Sequence, residues 1–300
     1  MNNLLRELRF LVTQRCNYSC VFCHGEGLQG KKHEALKAKD YRFMFAVGKD
    51  FFNLKNTTLT GGEPLLRDDI VNIVDELYEE SAKITLTTNG LLLNKNPDLG
   101  RLLEKVNLSL HCVEENKYES IVSKKGVFNT LVKNIYDFRE KHESIKICIN
   151  ATIIDGINSK EEDFISLVEF ARKINASIKY VELFPSSAKN FIPIKEIEIF
   201  LIKNKFHKIP SETRKSKFSD GITEVGLTKI FCEMAADQIA PKKYCHEHND
   251  LFVSPDGKIK PCRNNLHEID LMNAVIQKDS MLLAEKISQS FDMLGKYCIF

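Results

Sequence analysis

The apolar residues of this 300-residue chain fall into two alternating patterns. Short strand-like runs occur at LRFLV (8–12), TTLT (57–60), KITLTT (83–88), VNLSL (106–110), IKICINATII (145–154) and SIKYVEL (177–183). Between them lie segments of helical periodicity. KAKDYRFMFAVGKDFF is one, and 68–80 is another, with Ile70, Ile73, Val74 and Leu77 at helical spacing. Residues 126–142 repeat that pattern. Residues 159–174 open with Ser159 and Glu162, the S-x-x-E spacing of a capping box. Strand–helix units in series predict a parallel sheet with right-handed crossovers. Six are too few to close an eight-stranded barrel, so the expected fold is α/β, a partial (βα)6 TIM-like barrel over residues 1–185. Residues 186–230, basic and polar in KFHKIPSETRKSKFSDG, read as a linker and loop region, and 231–300 as a small C-terminal extension.

In parallel α/β architectures, ligands bind at the C-terminal ends of the strands. That rule gathers polar groups on one rim. A cysteine-bearing loop follows the first strand, GGEP (61–64) follows the second, and TTNG (87–90) ends the third. Ser109 and His111 end the fourth, Asn150 lies late in the fifth, and Glu182 ends the sixth. Gly-Gly and Asn-Gly mark turns in any protein. A polar group at every strand end fits turn chemistry less well.

The loop after the first strand, CNYSCVFCHGEG (16–27), spaces Cys16, Cys20 and Cys23 as C-x3-C-x2-C. A closed tetrahedral zinc site takes four ligands. A cubane iron–sulfur cluster held by three cysteines leaves one iron open to a substrate or cosubstrate. The spacing favours the cluster. Zinc is the competing reading and needs a fourth ligand, with His24 adjacent but close in sequence. Nine cysteines is an odd number, against a complete disulfide framework. Cys112 and Cys148 stand alone in apolar stretches and read as small buried hydrophobes. Cys232, Cys245, Cys262 and Cys298 fall in the last quarter.

Composition narrows the class further. Apolar residues make up 43%, enough for a sizeable core. A net charge of +2 and a pI near 8.0 point to no nucleic-acid or membrane partner. No window approaches 18 consecutive apolar residues, and MNNLLRELRF lacks a signal-peptide cleavage site, so a cytoplasmic protein with reduced cysteines is expected.

C-x3-C-x2-C after the first strand, Phe22 just before its last cysteine and GGEP after the second strand resemble the radical S-adenosylmethionine (radical SAM) superfamily over residues 8 to about 185. The resemblance implies a 4Fe–4S cluster on Cys16, Cys20 and Cys23, with SAM chelating the open iron. One-electron reduction by a donor such as flavodoxin or ferredoxin would cleave SAM to methionine and a 5′-deoxyadenosyl radical, which abstracts a hydrogen from the substrate. The cofactor carries that chemistry, and the protein supplies binding and orientation. On this likeness Gly61 and Gly62 let backbone approach the SAM amino group, Glu63 offers an acceptor and Phe22 contacts the adenine. Thr88, Asn89, Ser109 and Asn150 would contact the sugar or carboxylate.

Within the superfamily the chain is similar to the molybdenum cofactor biosynthesis protein A family, the GTP 3′,8-cyclases. LRFLVTQRCNYSCVFC, LTGGEPLLRDD, ITLTTNGLLL, VNLSL, INATIIDGIN and YVELFP carry the likeness in order, and YCHEHNDLFVSPDGKIKPC resembles the second-cluster segment. Arg9 and Arg67 match, which implies substrate contacts, and Lys179 stands where the family has arginine. Other positions depart. The middle cysteine of the tail segment is His248, two GTP-gripping arginines fall on Asp250 and Phe252, and a lysine falls on Cys148. The C-terminal Gly-Gly is absent. A triphosphate needs several cations and Asp250 would repel it, so these departures point to a substrate other than GTP.

The tail also resembles the auxiliary-cluster (SPASM or twitch) segments of radical SAM maturases. Cys245, Gly257 and Cys262 fit that spacing, with Cys298 far downstream. VSPDGKIKP reads as a hairpin turning at Asp256-Gly257. The expected second iron–sulfur cluster uses Cys245, Cys262 and Cys298, with His248 or Cys232 as fourth ligand. A zinc site or metal-free buried thiols are the alternatives. The favoured function is a radical SAM enzyme acting on a small molecule, whether nucleotide-like, sugar or other metabolite. A peptide-modifying maturase is the alternative enzyme, disfavoured because the first strand starts almost at residue 1. A non-catalytic cluster- or zinc-binding protein is the alternative of another class, disfavoured because neither Glu63 nor a loop cysteine is missing.

Overall fold

The computed structural model describes residues 5–28, 30–184, 188–211, 215–228 and 250–294. Cys232, Cys245, His248 and Cys298 lie outside the described residues. Six strands pair in chain order and in parallel: β1 (Glu7–Thr13), β2 (Asn56–Gly61), β3 (Lys83–Thr88), β4 (Lys105–Ser109), β5 (Lys146–Thr152) and β6 (Ala176–Val181). Helices α1 (Ala38–Phe52), α2 (Ile70–Glu79), α3 (Glu115–Val122), α4 (Phe128–Lys141) and α5 (Glu161–Lys173) supply the crossovers except that from β3 to β4, which runs through short 3-10 turns at Leu93–Lys95 and Leu99–Leu102. Helix α5 starts later than its expected cap. The Lys160 amide donates to Asp163 Oδ2 at 3.2 Å, whereas the Ser159 hydroxyl bonds Asp155 at the same distance.

The two faces of this sheet differ. Leu8, Phe10, Leu59, Ile84, Leu86, Val106, Leu108, Ile147, Ile149, Ile178 and Tyr180 are buried. Phe10 meets Tyr41 of α1 edge-on at 5.0 Å, and Tyr180 meets Phe164 of α5 at 5.9 Å, so this face packs on the helices. The residues between them point the other way. A parallel sheet covered by helices on both faces reads as a continuous apolar run. Here the inner face is polar, and register aligns it in rows. Thr87, Asn107, Cys148 and Ser177 lie side by side on β3 to β6. One step toward the C-terminal ends come Ser109, Asn150 and Lys179.

Residues 186–230 are not the expected loop. They carry α6 (Lys195–Lys203), β7 (His207–Ile209), β8 (Lys215–Ser219) and β9 (Glu224–Thr228). Strand β9 adds in parallel to β6, and β8 and β7 follow antiparallel. The Asp220 carboxylate closes the β8–β9 turn, accepting from the Ile222 and Thr223 amides at 2.9 and 2.8 Å. Phe218, Val225 and Leu227 bury the inner positions of this extension.

The tail also joins the sheet. Strand β10 (Asp250–Val253) pairs in parallel with β1, in the register Glu7↔Asp250 and Arg9↔Phe252. The hairpin to β11 (Lys258–Lys260) turns where expected, with Gly257 at φ +78°. That left-handed backbone favours glycine, and a Cβ there would also push on the Met272 side chain, 2.3 Å from its Sδ. Strand β12 (Ile269–Asp270), α7 (Met272–Gln277) and α8 (Ser280–Asp292) complete the described chain, and Phe291 of α8 packs on Phe52 of α1 at 6.2 Å. The described strands form one 12-stranded open sheet. No described helix is long and apolar enough to cross a membrane.

Candidate active site at the strand ends

The cysteine loop leaves β1 and is held by the chain around it. The Ser19 and Val21 amides donate to Val122 O and Ile121 O at 3.2 and 2.9 Å, tying the loop to the end of α3. The Cys23 amide donates to Cys20 O at 3.0 Å, a turn that sets these two cysteines side by side. The Tyr18 amide points at Cys16 Sγ and the Gly25 amide at Cys23 Sγ, each at 3.4 Å. Amide donors aimed at sulfur suit thiolates, so the donor set fits an iron–sulfur cluster. Among the described residues, no three His, Cys, Asp or Glu side chains gather about a single-ion position, these thiols included. Burial pushes the Cys20 thiol up to about 12 and raises Cys16 as well. Metal loading therefore displaces protons.

GGEP docks against the base of this loop. The Gly62 amide donates to Thr13 O at 2.8 Å, and the Glu63 amide to Arg15 O at 2.7 Å. A Cβ on Gly62 would lie 2.1 Å from Arg15 O, and one on Gly61 2.2 Å from Thr13 O. The first requirement on both glycines is thus the close approach of residues 13–15. Glu63 is 1% exposed and faces the protein. Its Oε1 accepts from the Leu65 amide at 3.0 Å and from Thr88 Oγ1 at 2.7 Å, and its Oε2 from the Asn89 amide at 2.7 Å. Burial raises its carboxyl to about 7 against those three donors. Asn89 then reaches the cysteine loop, donating from Nδ2 to Asn17 Oδ1 at 2.7 Å. The loops after β1, β2 and β3 thus form one hydrogen-bonded unit.

Phe22 lies 4.7 Å from the ring of His111, edge to face. His111 is buried, and its Nδ1 accepts from the Thr152 amide at 3.1 Å. Desolvation lowers its pKa to about 4, so the ring stays neutral. Ser109, Asn150 and Lys179 share one row below it. Glu182 Oε1 accepts from the Ile194 amide at 3.0 Å, just before α6. Cys112 and Cys148 are buried as expected.

Two sequence expectations need correction. Arg67 is 4% exposed, and all three guanidinium nitrogens are used within the fold. Nη1 donates to Val12 O and Tyr41 Oη at 2.6 and 2.9 Å, Nη2 to Leu36 O at 2.5 Å, and Nε to Asp69 Oδ1 at 2.6 Å. It braces β1 against α1, leaving no donor for a substrate. Asp250 also behaves differently. Arg6 grips its carboxylate from Nε and Nη2 at 2.8 and 2.7 Å, at the N-terminal end of β1 and away from the cysteine loop. Its charge is neutralised there, and the electrostatic case against GTP loses that support. Arg9 faces inward, with its guanidinium 5.6 Å from the Phe252 ring and 3.0 Å from Glu7 Oε2.

Lys260, Lys32, Glu268 and Arg263, which the sequence reading passed over, join this site to the tail. Lys260 is 3% exposed and donates to Gly27 O and Arg263 O at 2.5 and 3.3 Å. Lys32 reaches Glu268 at 2.7 Å and Asp256 at 3.5 Å. Arg263 Nη1 sits 3.0 Å from His24 Nε2. Cys262, partly exposed, lies between Lys260 and Arg263. The only sequence signal for this seam was the pair of glycines in HGEG.

Comparison with known proteins agrees with this geometry. The radical SAM superfamily model matches residues 10–170. A probable GTP 3′,8-cyclase of Pyrobaculum aerophilum is 31% identical over 283 residues, 92% of this chain and 89% of that protein. A GTP 3′,8-cyclase of Helicobacter pylori is 30% identical over 301 residues, 96% of this chain and 90% of its own. Among solved structures, Streptococcus suis SuiB bound to S-adenosylmethionine superposes with a TM-score of 0.68 at 16% identity. That match covers 98% of this chain but only 66% of SuiB. Native anSMEcpe with bound AdoMet gives 0.62 at 12% identity, over 97% of this chain and 84% of its own. The shared parallel sheet, the cysteine loop on its first strand and a family match over more than half the chain lead to one conclusion: this protein is an enzyme of the radical SAM superfamily.

Proposed function

We propose that Cys16, Cys20 and Cys23 hold a 4Fe–4S cluster, and that the enzyme uses SAM there to abstract a hydrogen from a small, nucleotide-like substrate on the inner face of the sheet. When bound, the cluster and SAM supply a 5′-deoxyadenosyl radical. The protein orients and shields. Asn17, Asn89 and Glu63 fix the cysteine loop against β2 and β3. Phe22, held by His111, offers an apolar edge for an adenine. Ser109 and Asn150 offer hydroxyl and amide groups to a sugar or carboxylate, and Arg9 and Lys179 offer cations to the substrate.

The observation that carries this reading is the row Ser109–Asn150–Lys179, which runs across the polar inner face just below the strand ends. The names of the relatives make GTP the first substrate to test. The likeness to SuiB speaks for the fold alone and does not favour a peptide. The test is anaerobic incubation of reconstituted enzyme with SAM and dithionite, with and without GTP. Stimulated 5′-deoxyadenosine together with a new guanine-derived product assigns GTP. Stimulation by another nucleotide assigns that nucleotide class, and no stimulation by any nucleotide rejects the substrate reading.

We also propose Cys262 as one ligand of a second iron–sulfur cluster, together with Cys245, Cys298 and either His248 or Cys232. Its support is the seam that holds Cys262 beside the cysteine loop. Reconstituted protein with Cys16, Cys20 and Cys23 all changed to Ala is expected to retain about four irons per chain. Near-zero iron rejects the second cluster.

A further inference from the structure

Glu26 has a place in the site that the proposed function leaves unexplained. It belongs to HGEG (24–27), directly after the last loop cysteine. Gly25, Glu26 and Gly27 all have left-handed backbone, at φ +58°, +52° and +73°. For a glutamate that conformation costs about 1 kcal/mol or more and persists only under outside constraint. The tail supplies the constraint. Lys260 holds Gly27 O, and Gly27 sits so close to Arg263 that a Cβ would fall 2.1 Å from its carbonyl oxygen. Arg263 in turn holds His24.

This clamp sets the Glu26 carboxylate among cations from three separate elements: Arg263 of the tail, Arg9 of β1 and Lys179 of β6. Their attraction, with that of His24, keeps its carboxyl below the usual range despite burial. An ion cluster built for its own sake closes its hydrogen bonds. Here Glu26 Oε2 is buried without a hydrogen-bond partner, and so is Arg9 Nε. An acceptor and a donor of opposite charge share one site without meeting. Arg9 also faces Glu7 at 3.0 Å and Asp250, and Lys260 is a further cation acting on Glu26.

The geometry points to Glu26 as the residue that limits how much negative charge the substrate site accepts, its carboxylate being a resident anion that competes with a substrate's phosphoryl groups for Arg9, Lys179 and Arg263. This inference rests on the proposed reading that the inner face binds the substrate. The single carboxylate leaves polar atoms unmatched, whereas a phosphoryl group brings more acceptor oxygens to the same cations. Glu26→Gln keeps the size of the side chain and removes the competing charge.

The probe is inorganic tripolyphosphate, titrated calorimetrically at low salt into the full-length reconstituted protein with SAM present. Glu26→Gln is expected to bind it about tenfold more tightly than wild type. Glu26→Asp keeps the charge and is expected to stay near wild type, which separates lost charge from a loosened loop. Adding Arg9→Gln and Lys179→Gln to Glu26→Gln is expected to remove the gain, while adding Lys133→Gln, on a side chain 72% exposed, is not. Equal or weaker binding by Glu26→Gln overturns the proposal, as does a gain that survives loss of both inner cations. The titration requires no SAM cleavage. Failure of the radical reading shows as absent 5′-deoxyadenosine, and failure of this inference as unchanged phosphate affinity.

Discussion

The Thr88 hydroxyl donates to Glu63 Oε1 at 2.7 Å, and this bond fastens the end of β3 to the turn that follows β2. Loss of the Glu63 side chain orphans three buried donors: the Thr88 hydroxyl and the Leu65 and Asn89 amides. Glu63→Ala is expected to cost about 3 kcal/mol or more. Urea denaturation of the metal-free protein measures it, and a loss below about 0.5 kcal/mol would show that the GGEP turn stands without this bolt.

Glu63 and His111 make opposing contributions to stability with pH. Burial raises Glu63 from 4.5 to about 7, so between those values the folded protein keeps a proton that the unfolded chain releases. Its contribution falls as pH rises through that window. Burial lowers His111 from 6.5 to about 4, so there the unfolded chain binds a proton that the folded protein refuses. Its contribution falls as pH drops through that window. Between pH 4.5 and 6.5 the two slopes cancel. Glu63→Gln is expected to uncover the histidine slope, losing about 3 kcal/mol relative to wild type on acidification across that range. His111→Asn is expected to gain stability over the same range. Denaturation at stepped pH measures both, and parallel curves for all three proteins would refute the pairing.

Gly62 and Gly126 separate packing from backbone freedom. A Cβ on Gly62 meets Arg15 O at 2.1 Å, while one on Gly126 meets nothing within 4 Å, though Gly126 sits at φ +71°. Gly62→Ala must displace the base of the cysteine loop, at about 1–3 kcal/mol, and is expected to lower iron uptake on reconstitution. Gly126→Ala carries backbone strain of about 1 kcal/mol and is expected to load iron normally. Equal iron contents in the two variants would contradict the account of GGEP docking.

Arg67 is expected to behave as a framework residue. Arg67→Gln leaves Leu36 O, Val12 O and Asp69 without their partner and is expected to destabilise by about 3 kcal/mol or more. In folded variant, the affinity for a phosphate-bearing ligand is expected to match wild type, in contrast to Lys179→Gln. A selective loss of ligand affinity at unchanged stability would restore Arg67 to the substrate site.

Much of this architecture was legible in the sequence, for physical reasons. KITLTT and IKICINAT alternate because one face of each strand packs on helices while the other lines a polar interior. C-x3-C-x2-C was legible because its chemistry depends on local spacing. Other features depend on contacts between distant residues. The pairing of β10 with β1 joins residues about 240 positions apart, and nothing local in DLFV announces it. Phe218 hides β8 among lysines because it is the only buried residue of 216–219. Arg67 was assigned from its match to the family and Asp250 from its charge. Besides its neighbour Asp69, Arg67 is taken up by Val12 O, Leu36 O and Tyr41, and Asp250 by Arg6, partners that the folded chain brings near. Glu26 was missed because a single glutamate between glycines reads as a turn until the tail closes over it.

The central claim is that Cys16, Cys20 and Cys23 hold the cluster at which SAM is cleaved. Its most direct test is the yield of 5′-deoxyadenosine from anaerobically reconstituted wild type and Cys20→Ala, each given SAM and dithionite. The account predicts 5′-deoxyadenosine from wild type and none from Cys20→Ala. Retained cleavage in Cys20→Ala would contradict it.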